Sequence, residues 1–181
     1  MKQTIISLWV IGVILVLCGS MGCERIQRET HGSHNCIEGI TCYTDYGRAM
    51  QAGIRSNKPI LINFTGQIAC DICRRLGPTF KKDLALWDML QNDMLVLCLY
   101  VDDTTALDFP YHSEVLGDVN TLGERWLDLQ VQRFEDTTQP YLILVDGYEG
   151  HLTEGIRFSE TYDLNEFRKT LAQGLETFNS R

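Results

Sequence analysis

Two cysteines stand two residues apart in Cys70-Asp71-Ile72-Cys73. They follow an apolar run that predicts a strand, and they open a stretch that predicts a helix. Two thiols at this spacing can close and open a disulfide with little backbone movement. The free amide groups at a helix start also favour a thiolate on the first sulfur. The pattern predicts thiol–disulfide exchange with Cys70 as nucleophile and Cys73 as resolving thiol, and a static disulfide is the plainer alternative.

The first 22 residues have the pattern of an export signal. Lys2 provides a positive start, residues 5–17 are almost entirely apolar, and small residues precede Cys23. The apolar run is too short for a clear membrane span, which needs roughly 20 residues. Residues 20–23 (SMGC) resemble a bacterial lipobox, in which the cysteine is acylated. We therefore expect a lipoprotein-type signal peptide over 1–22 with Cys23 as the lipidated residue, and an ordinary cleaved signal is the alternative.

Composition excludes several classes of function. The 159 residues from Cys23 onward suit one domain with a single core. Once Lys2 is removed with the signal, the chain has 15 basic and 24 acidic residues, which gives a net charge of −9. Such an acidic surface argues against nucleic acid and against a polybasic membrane patch. Partners are therefore expected to be proteins or small thiols, with membrane attachment only through the N-terminal lipid.

Three further cysteines would remain in the exported chain. Cys98 lies in an apolar run that predicts a buried strand, so it is expected to be a shielded core thiol. Cys36 and Cys42 precede the first predicted helix and are a candidate structural disulfide. A second redox pair feeding Cys70 is one alternative. A zinc site with a nearby histidine, or with the other cysteine pair, is another, but the Cys36–Cys42 gap does not suit zinc, and no metal is predicted.

The rest of the chain alternates between helical and strand patterns. Residues 23–43 are polar and are predicted to form a tether or lead-in segment, and residues 44–181 are predicted to form the folded domain. Helices are predicted over 45–56, 70–82, 84–91, 122–134 and 163–177, strands over 60–64, 95–101, 141–145 and 152–157, and a long loop over 102–120. Helices between buried strands predict a layered α/β fold, with an antiparallel hairpin at the end.

Four motifs in this order resemble one family. They are residues 57–66 (NKPILINFTG), 70–76 (CDICRRL), 99–103 (LYVDD) and 139–146 (QPYLILVD). The chain is similar in them to thioredoxin-like proteins, and most to the C-terminal domain of the thiol:disulfide interchange protein DsbD. The resemblance covers about residues 45–175. It implies a three-layer thioredoxin-like fold whose central mixed sheet is flanked by helices.

The resemblance also implies a site and an activity. Pro140 is expected to be cis and to face Cys70 and Cys73, and the backbone of Gln139 to pair with an extended substrate. The expected activity is that of an exported, membrane-tethered thiol–disulfide oxidoreductase on the periplasmic side of a bacterial membrane. It would reduce disulfides of exported partner proteins without a cofactor and take electrons from a separate membrane donor. A non-catalytic binding module and a disulfide oxidase or isomerase are the alternatives.

This sequence departs from the family near the two cysteines. One extra residue separates Gly66 from Cys70, and the segment carries Gln67 and Ile68 where an aromatic residue is common. Asn63 stands where relatives often have a buried aspartate that can take the proton of the second thiol. An amide cannot act as that base, so a water or another side chain must serve.

Overall fold

A computed structural model describes residues 36–181 of the chain. The predicted signal peptide, the lipidation of Cys23 and the two histidines near Cys36 lie outside these residues. Across 36–181, no helix combines the length and the apolar character needed to cross a membrane.

The order of the elements agrees with the alternation in the sequence. The strands are β1 Cys42–Tyr43, β2 Ile60–Thr65, β3 Leu95–Tyr100, β4 Ala106–Ser113, β5 Gly117–Thr121, β6 Tyr141–Val145 and β7 Ile156–Arg157. The helices are α1 Tyr46–Ser56, α2 Asp71–Phe80, α3 Leu84–Asn92, α4 Leu122–Phe134 and α5 Leu164–Asn179.

Side chains at the predicted helix starts satisfy amide groups that have no partner within the helix. Asp45, Asp83 and Asp163 each accept a backbone N–H bond at the N-cap. Thr121 and Glu124 form a reciprocal capping box at the start of α4. Helix boundaries therefore follow from local chemistry that can be read from the sequence.

Five strands form one mixed sheet in the order β1-β3-β2-β6-β7. β2 pairs in parallel with β3 and antiparallel with β6, so β2 is central. Every residue of β2 is buried, as expected for a strand covered on both faces. The register places Asn63 beside Cys98 on one side and Leu142 on the other.

Helices cover both faces of the sheet. One core cluster joins α2, α3 and α5 to the sheet and contains three large buried aromatic rings, Phe80, Phe158 and Phe167. The other cluster packs α1 and α4 on the opposite face around Phe64 and Tyr141. The result is the three-layer α/β arrangement that the resemblance implies.

The segment that precedes α1 belongs to the fold from residue 36 onward. Ile37 and Ile40 are buried in the core, and β1 pairs in parallel with β3. Residues 36–43 were expected to be part of a tether, and that boundary is corrected here. Two apolar side chains separated by polar residues are too few to show a helical or strand period, so the sequence pattern did not reveal this packing.

The predicted loop over 102–120 also contains structure. β4 and β5 form a separate antiparallel pair, with Tyr111 opposite Val119. The strand predicted over 152–157 is shorter, and β7 spans only Ile156–Arg157. Most residues of β4 are exposed, so this hairpin lacks the apolar alternation by which half-buried strands are recognised.

Candidate active site

Cys70 and Cys73 form a disulfide at the start of α2. Cys70 is the N-cap residue of this helix and is half-buried, whereas Cys73 lies in its first turn and is only 2% exposed. The Cys73 N–H donates to the sulfur of Cys70 at 3.2 Å. This amide belongs to the helix start, where it stabilises negative charge on Cys70 once the disulfide opens.

The Gln139–Pro140 bond faces the disulfide and is cis, as the resemblance implies. The Gln139 carbonyl oxygen lies 3.9 Å from the sulfur of Cys70. Gln139 and Cys70 also line one shared cleft. The structure therefore brings together the four residues predicted for the site, although they are separated by about 70 positions in sequence.

A buried glutamine of α4 holds the loop that carries Gln139. Gln130 is fully buried and donates from its amide nitrogen to the Thr138 carbonyl at 2.9 Å. Its amide oxygen accepts from the Gln139 side chain at 3.1 Å. Gln130 was not among the predicted site residues, and its only signal in the sequence is an amide at a core-facing position of a helix.

Asp102 holds the segment that leads into Cys70. One carboxylate oxygen accepts from the Gln67 N–H at 2.9 Å, and the other accepts from the Ile68 N–H at 2.7 Å. Gln67 and Ile68 belong to the segment between Gly66 and Cys70, which is one residue longer here than in the family that the sequence resembles. Asp102 belongs to the matched motif over 99–103, but its local sequence context predicts only a solvated surface, so this role became visible in the structure.

The cleft beside the disulfide has a volume of about 550 Å³ and is lined by residues from both sides of the site. Arg75 of α2 pairs with Glu160 across the lining, and Arg74 pairs with Asp71. Arg74 also donates to the Ile68 carbonyl at 3.0 Å. Both ion pairs are exposed to solvent, so each is expected to contribute little to stability.

Ile68 is a large, exposed apolar side chain two residues before Cys70. It is 73% exposed, and other large apolar side chains of the surface, such as Leu84, are exposed to a similar degree. Ile68 does not line the cleft beside the disulfide, whose apolar lining comes from Ala69, Ile72 and Val101. The arrangement suits an extended polypeptide whose side chains reach an apolar surface while its backbone approaches the Gln139 carbonyl.

Asn63 is completely buried in the centre of β2, and its side-chain amide has no hydrogen-bond partner among residues 36–181. Strand alternation places it on the face of Leu61, which packs toward α2. An unpaired buried amide costs stability, typically about 1–3 kcal/mol. Asn63 stands at the position where the family that the sequence resembles often has a buried aspartate.

The other three cysteines among residues 36–181 form a second cluster whose pairing differs from the prediction. Cys36 is bonded to Cys98, and Cys42 is a free thiol whose sulfur lies 3.4 Å from that of Cys36. The expected Cys36–Cys42 disulfide and the expected core thiol at Cys98 are therefore both corrected. The parallel pairing of β1 with β3 explains the difference, because it brings a strand that contains Cys98 against the segment that contains Cys36.

This cluster is the group of potential metal ligands that residues 36–181 bring together. A soft metal ion would need thiolates from all three cysteines. Two of the sulfurs are joined to each other, so they do not offer thiolates in this state. The donor set fits a metal only in a fully reduced chain, and no step of the chemistry below depends on one.

The geometry at Cys70 and Cys73 is suited to accept two electrons. A half-exposed sulfur faces the cleft, a buried sulfur lies behind it, and helix amides stabilise the thiolate that forms on reduction. The buried sulfur also has an amide donor, because the Gly66 N–H donates to the sulfur of Cys73 at 3.5 Å. A Cβ at Gly66 would lie 3.2 Å from Cys70 and from Asp102, so the close approach of this segment favours glycine.

Comparison with one solved structure supports this description of the fold. The structure of the DsbH oxidoreductase aligns with a TM-score of 0.51 and 14% sequence identity, over 81% of this chain and 92% of its own. A thioredoxin-fold protein from Helicobacter pylori aligns with a TM-score of 0.40 and 14% identity, over 69% and 86% of the two chains. No family model and no curated protein matches the sequence. The chain has the thioredoxin fold, and its Cys70–Cys73 disulfide lies at the start of α2.

Proposed function

We propose that this protein is a thiol–disulfide oxidoreductase that reduces disulfides of exported proteins. The observation that carries the proposal is the Cys70–Cys73 disulfide, placed at a helix start and opposite the Gln139 carbonyl. A purely structural disulfide would gain nothing from a half-exposed first sulfur beside an open cleft. The arrangement instead leaves Cys70 accessible to a partner and protects Cys73 from one.

In the proposed cycle the reduced protein acts first through Cys70. Its thiolate attacks one sulfur of a partner disulfide, and the second partner sulfur leaves as a thiolate and takes up a proton. Cys73 then loses its proton and attacks the sulfur of Cys70. The Cys70–Cys73 disulfide forms, the mixed disulfide breaks, and the partner leaves with two thiols. An external dithiol returns two electrons and closes the cycle.

The direction of electron flow and the cellular setting are part of the proposal. They follow from the resemblance to the C-terminal domain of DsbD and from the predicted lipoprotein signal. On this basis the protein is anchored by a lipid on Cys23, faces the periplasm, and receives electrons from a separate membrane protein. Its acidic surface also favours protein partners over nucleic acid.

A trapping experiment tests the proposed activity. In Cys73→Ser the resolving thiol is absent, so Cys70 should accumulate a mixed disulfide with its partner, which a nonreducing gel and mass spectrometry would identify. Cys70→Ser is the matched control, because it keeps the same fold and removes the nucleophile. If Cys73→Ser captures no more protein than Cys70→Ser, catalytic exchange through Cys70 is excluded and a binding role is favoured.

A second measurement separates reduction from oxidation. The purified protein should reduce insulin disulfides with dithiothreitol as electron donor faster than it oxidises a reduced, unfolded substrate. In intact cells, Cys70 and Cys73 should be largely recovered as thiols by rapid alkylation. A fully oxidised pair in cells, together with faster oxidation than reduction in solution, would identify an oxidase or isomerase.

A further inference from the structure

Three cysteine sulfurs meet at a place that the Cys70–Cys73 chemistry does not use. Cys36 and Cys98 are bonded, and all three sulfur atoms of Cys36, Cys42 and Cys98 lie within 4.8 Å of one another. The sulfur of the free Cys42 thiol lies 3.4 Å from the sulfur of Cys36. A free thiol in contact with a disulfide sulfur has the proximity that thiol–disulfide exchange requires.

Burial of the three sulfurs is unequal. Cys98 is completely buried in the middle of β3, whereas Cys36 and Cys42 are half-buried at the edge of the sheet. An external thiol therefore has no direct access to Cys98. The two sulfurs that solvent can approach are the two that are not bonded to each other.

The surrounding structure fixes this contact. Ile37 and Ile40 anchor the segment that carries Cys36 in the core. The pairing of Cys42 with Val96 fixes β1 against β3. The Ile40 carbonyl oxygen lies 3.3 Å from the sulfur of Cys42 and accepts its hydrogen bond. The contact between the sulfurs is thus set by sheet pairing and core packing.

We propose that Cys36, Cys42 and Cys98 form a second thiol–disulfide exchange site, in which the disulfide moves between a buried Cys36–Cys98 form and an accessible Cys36–Cys42 form. Its substrates are thiols small enough to reach Cys42. The site does not depend on the function proposed for Cys70 and Cys73.

The internal step conserves atoms and electrons. Cys42 loses its proton and its thiolate attacks the sulfur of Cys36, so a Cys36–Cys42 bond forms and the Cys36–Cys98 bond breaks. The electron pair of the broken bond stays on the sulfur of Cys98, which takes up a proton. No net oxidation occurs. A small thiol can then attack the sulfur of Cys42, which leaves Cys36 as a thiol and Cys42 in a mixed disulfide.

Burial makes the internal step slow at neutral pH. It raises the pKa of the Cys42 thiol, and the backbone amides of Ile37 and Cys36 lower it by a smaller amount. Only a small fraction of Cys42 is then thiolate near pH 7, and the thiolate is the attacking form. The rate of the internal step is therefore expected to increase with pH.

The test uses the full-length chain with Cys70→Ser and Cys73→Ser, so that the first disulfide cannot contribute. Samples are held at pH 8, quenched in acid at intervals and mapped by mass spectrometry for each cysteine pair. Both the Cys36–Cys98 and the Cys36–Cys42 disulfides should be recovered. Recovery of Cys36–Cys98 alone, with Cys42 free at every interval, would overturn the proposal.

A kinetic comparison tests the role of Cys42 in the same background. Opening of the cluster disulfide by dithiothreitol should be at least about tenfold slower in Cys42→Ser, because the reagent then lacks the accessible pair. Thr41→Ser, at the exposed neighbouring position, is the matched control and should keep the original rate. Equal rates in all three proteins would contradict the proposal.

The variant Cys98→Ser tests whether the Cys36–Cys42 disulfide can form in a correctly folded chain. Cys98→Ser should retain the fold by circular dichroism and contain a Cys36–Cys42 disulfide. Two free thiols at Cys36 and Cys42 in the folded, air-oxidised variant would exclude the accessible form. Retention of one equivalent of zinc by the reduced parent protein, with all three thiols protected from alkylation, would instead identify a metal site and overturn the proposal.

Discussion

The sulfur of Cys70 lies 3.9 Å from the Gln139 carbonyl oxygen, across a cleft that both residues line. Cys70 is the N-cap of α2, and Gln139 precedes β6. The contact between them therefore depends on the antiparallel pairing of β6 with the central strand β2. It places the reactive sulfur next to a backbone oxygen that an extended substrate can use. Residues that fix either side of this contact should therefore control activity.

Asp102 is the first of these residues. Asp102→Ala removes the carboxylate that accepts from the Gln67 and Ile68 amides, so the segment before Cys70 should lose its fixed position. We expect insulin reduction to slow by about three- to tenfold, which corresponds to roughly 1 kcal/mol. The melting temperature should change little, because the segment is exposed.

Asp108→Asn provides the control for this variant, since Asp108 is an exposed acidic residue of β4. It alters the surface charge by the same amount as Asp102→Ala. An equal loss of activity in both variants would attribute the effect to charge rather than to the position of the segment. An unchanged rate in Asp102→Ala would show that the segment does not need this carboxylate.

Asp136 should make stability depend on pH. Burial alone would raise the pKa of its carboxyl, but hydrogen bonds from Thr138 and Arg157 outweigh burial, and the pKa is lowered. Thr138 donates from its N–H and its hydroxyl at 2.7 and 2.6 Å. Since the pKa is lower in the folded chain, the stabilisation is complete above the pKa of an unfolded aspartate, near 4, and is lost as pH falls through the folded value.

Asp136→Asn should therefore lower the free energy of unfolding by about 1–2 kcal/mol at pH 7. The difference from the parent protein should narrow below about pH 4, where the native carboxyl also becomes neutral. Urea denaturation across this pH range measures both effects. A difference that stays constant down to pH 2 would show that the carboxylate charge is not responsible.

Gly77 reports on the packing of the segment before β1. A Cβ at this position would lie 2.7 Å from the backbone nitrogen of Glu38, a contact that requires the segment to move. We expect Gly77→Ala to destabilise the protein by about 1–3 kcal/mol, the usual cost of overpacking. Thermal denaturation provides the measurement.

Gly47→Ala is a matched change in another helix. Its nearest atom would be the Asp45 carboxylate oxygen at 3.6 Å, an ordinary contact, and the position is exposed. Alanine there should stabilise α1 by about 0.5–1 kcal/mol. Should Gly77→Ala stabilise the protein in the same way, residues 36–40 cannot be packed against α2.

Asn63 allows a test of the buried site behind the disulfide. Asn63→Asp introduces a carboxyl where solvent is excluded, and burial should raise its pKa above that of an unfolded aspartate. The variant should then be most stable near pH 4 and lose stability as pH rises toward the folded pKa. The loss amounts to about 1.4 kcal/mol for each unit by which the pKa is raised.

Urea denaturation of Asn63→Asp between pH 4 and pH 8 checks this dependence. Asn63→Thr serves as control, because it is smaller, polar and without charge, so its effect should be the same at every pH. Parallel profiles for the two variants would show that the new carboxylate finds a partner or solvent in the folded chain.

Local patterns in the sequence determined much of the fold. The predicted bounds of α4 and β6 agree with the structure, because each is a continuous apolar or helical pattern with a clear start. The spacing of Cys70 and Cys73 at the predicted start of α2 was likewise a local property. Both cysteines could therefore be assigned to one disulfide from the sequence alone.

Only the tertiary structure decided which distant residues meet. The Cys36–Cys98 bond, the position of Cys42 beside it and the contact of Asp102 with the segment before Cys70 all depend on strand order and register. Hydrophobic periodicity reports which face of an element is buried, but not which element covers it. Contacts between residues tens of positions apart are set by the way the sheet assembles, so the second cysteine cluster could be found only in the folded chain.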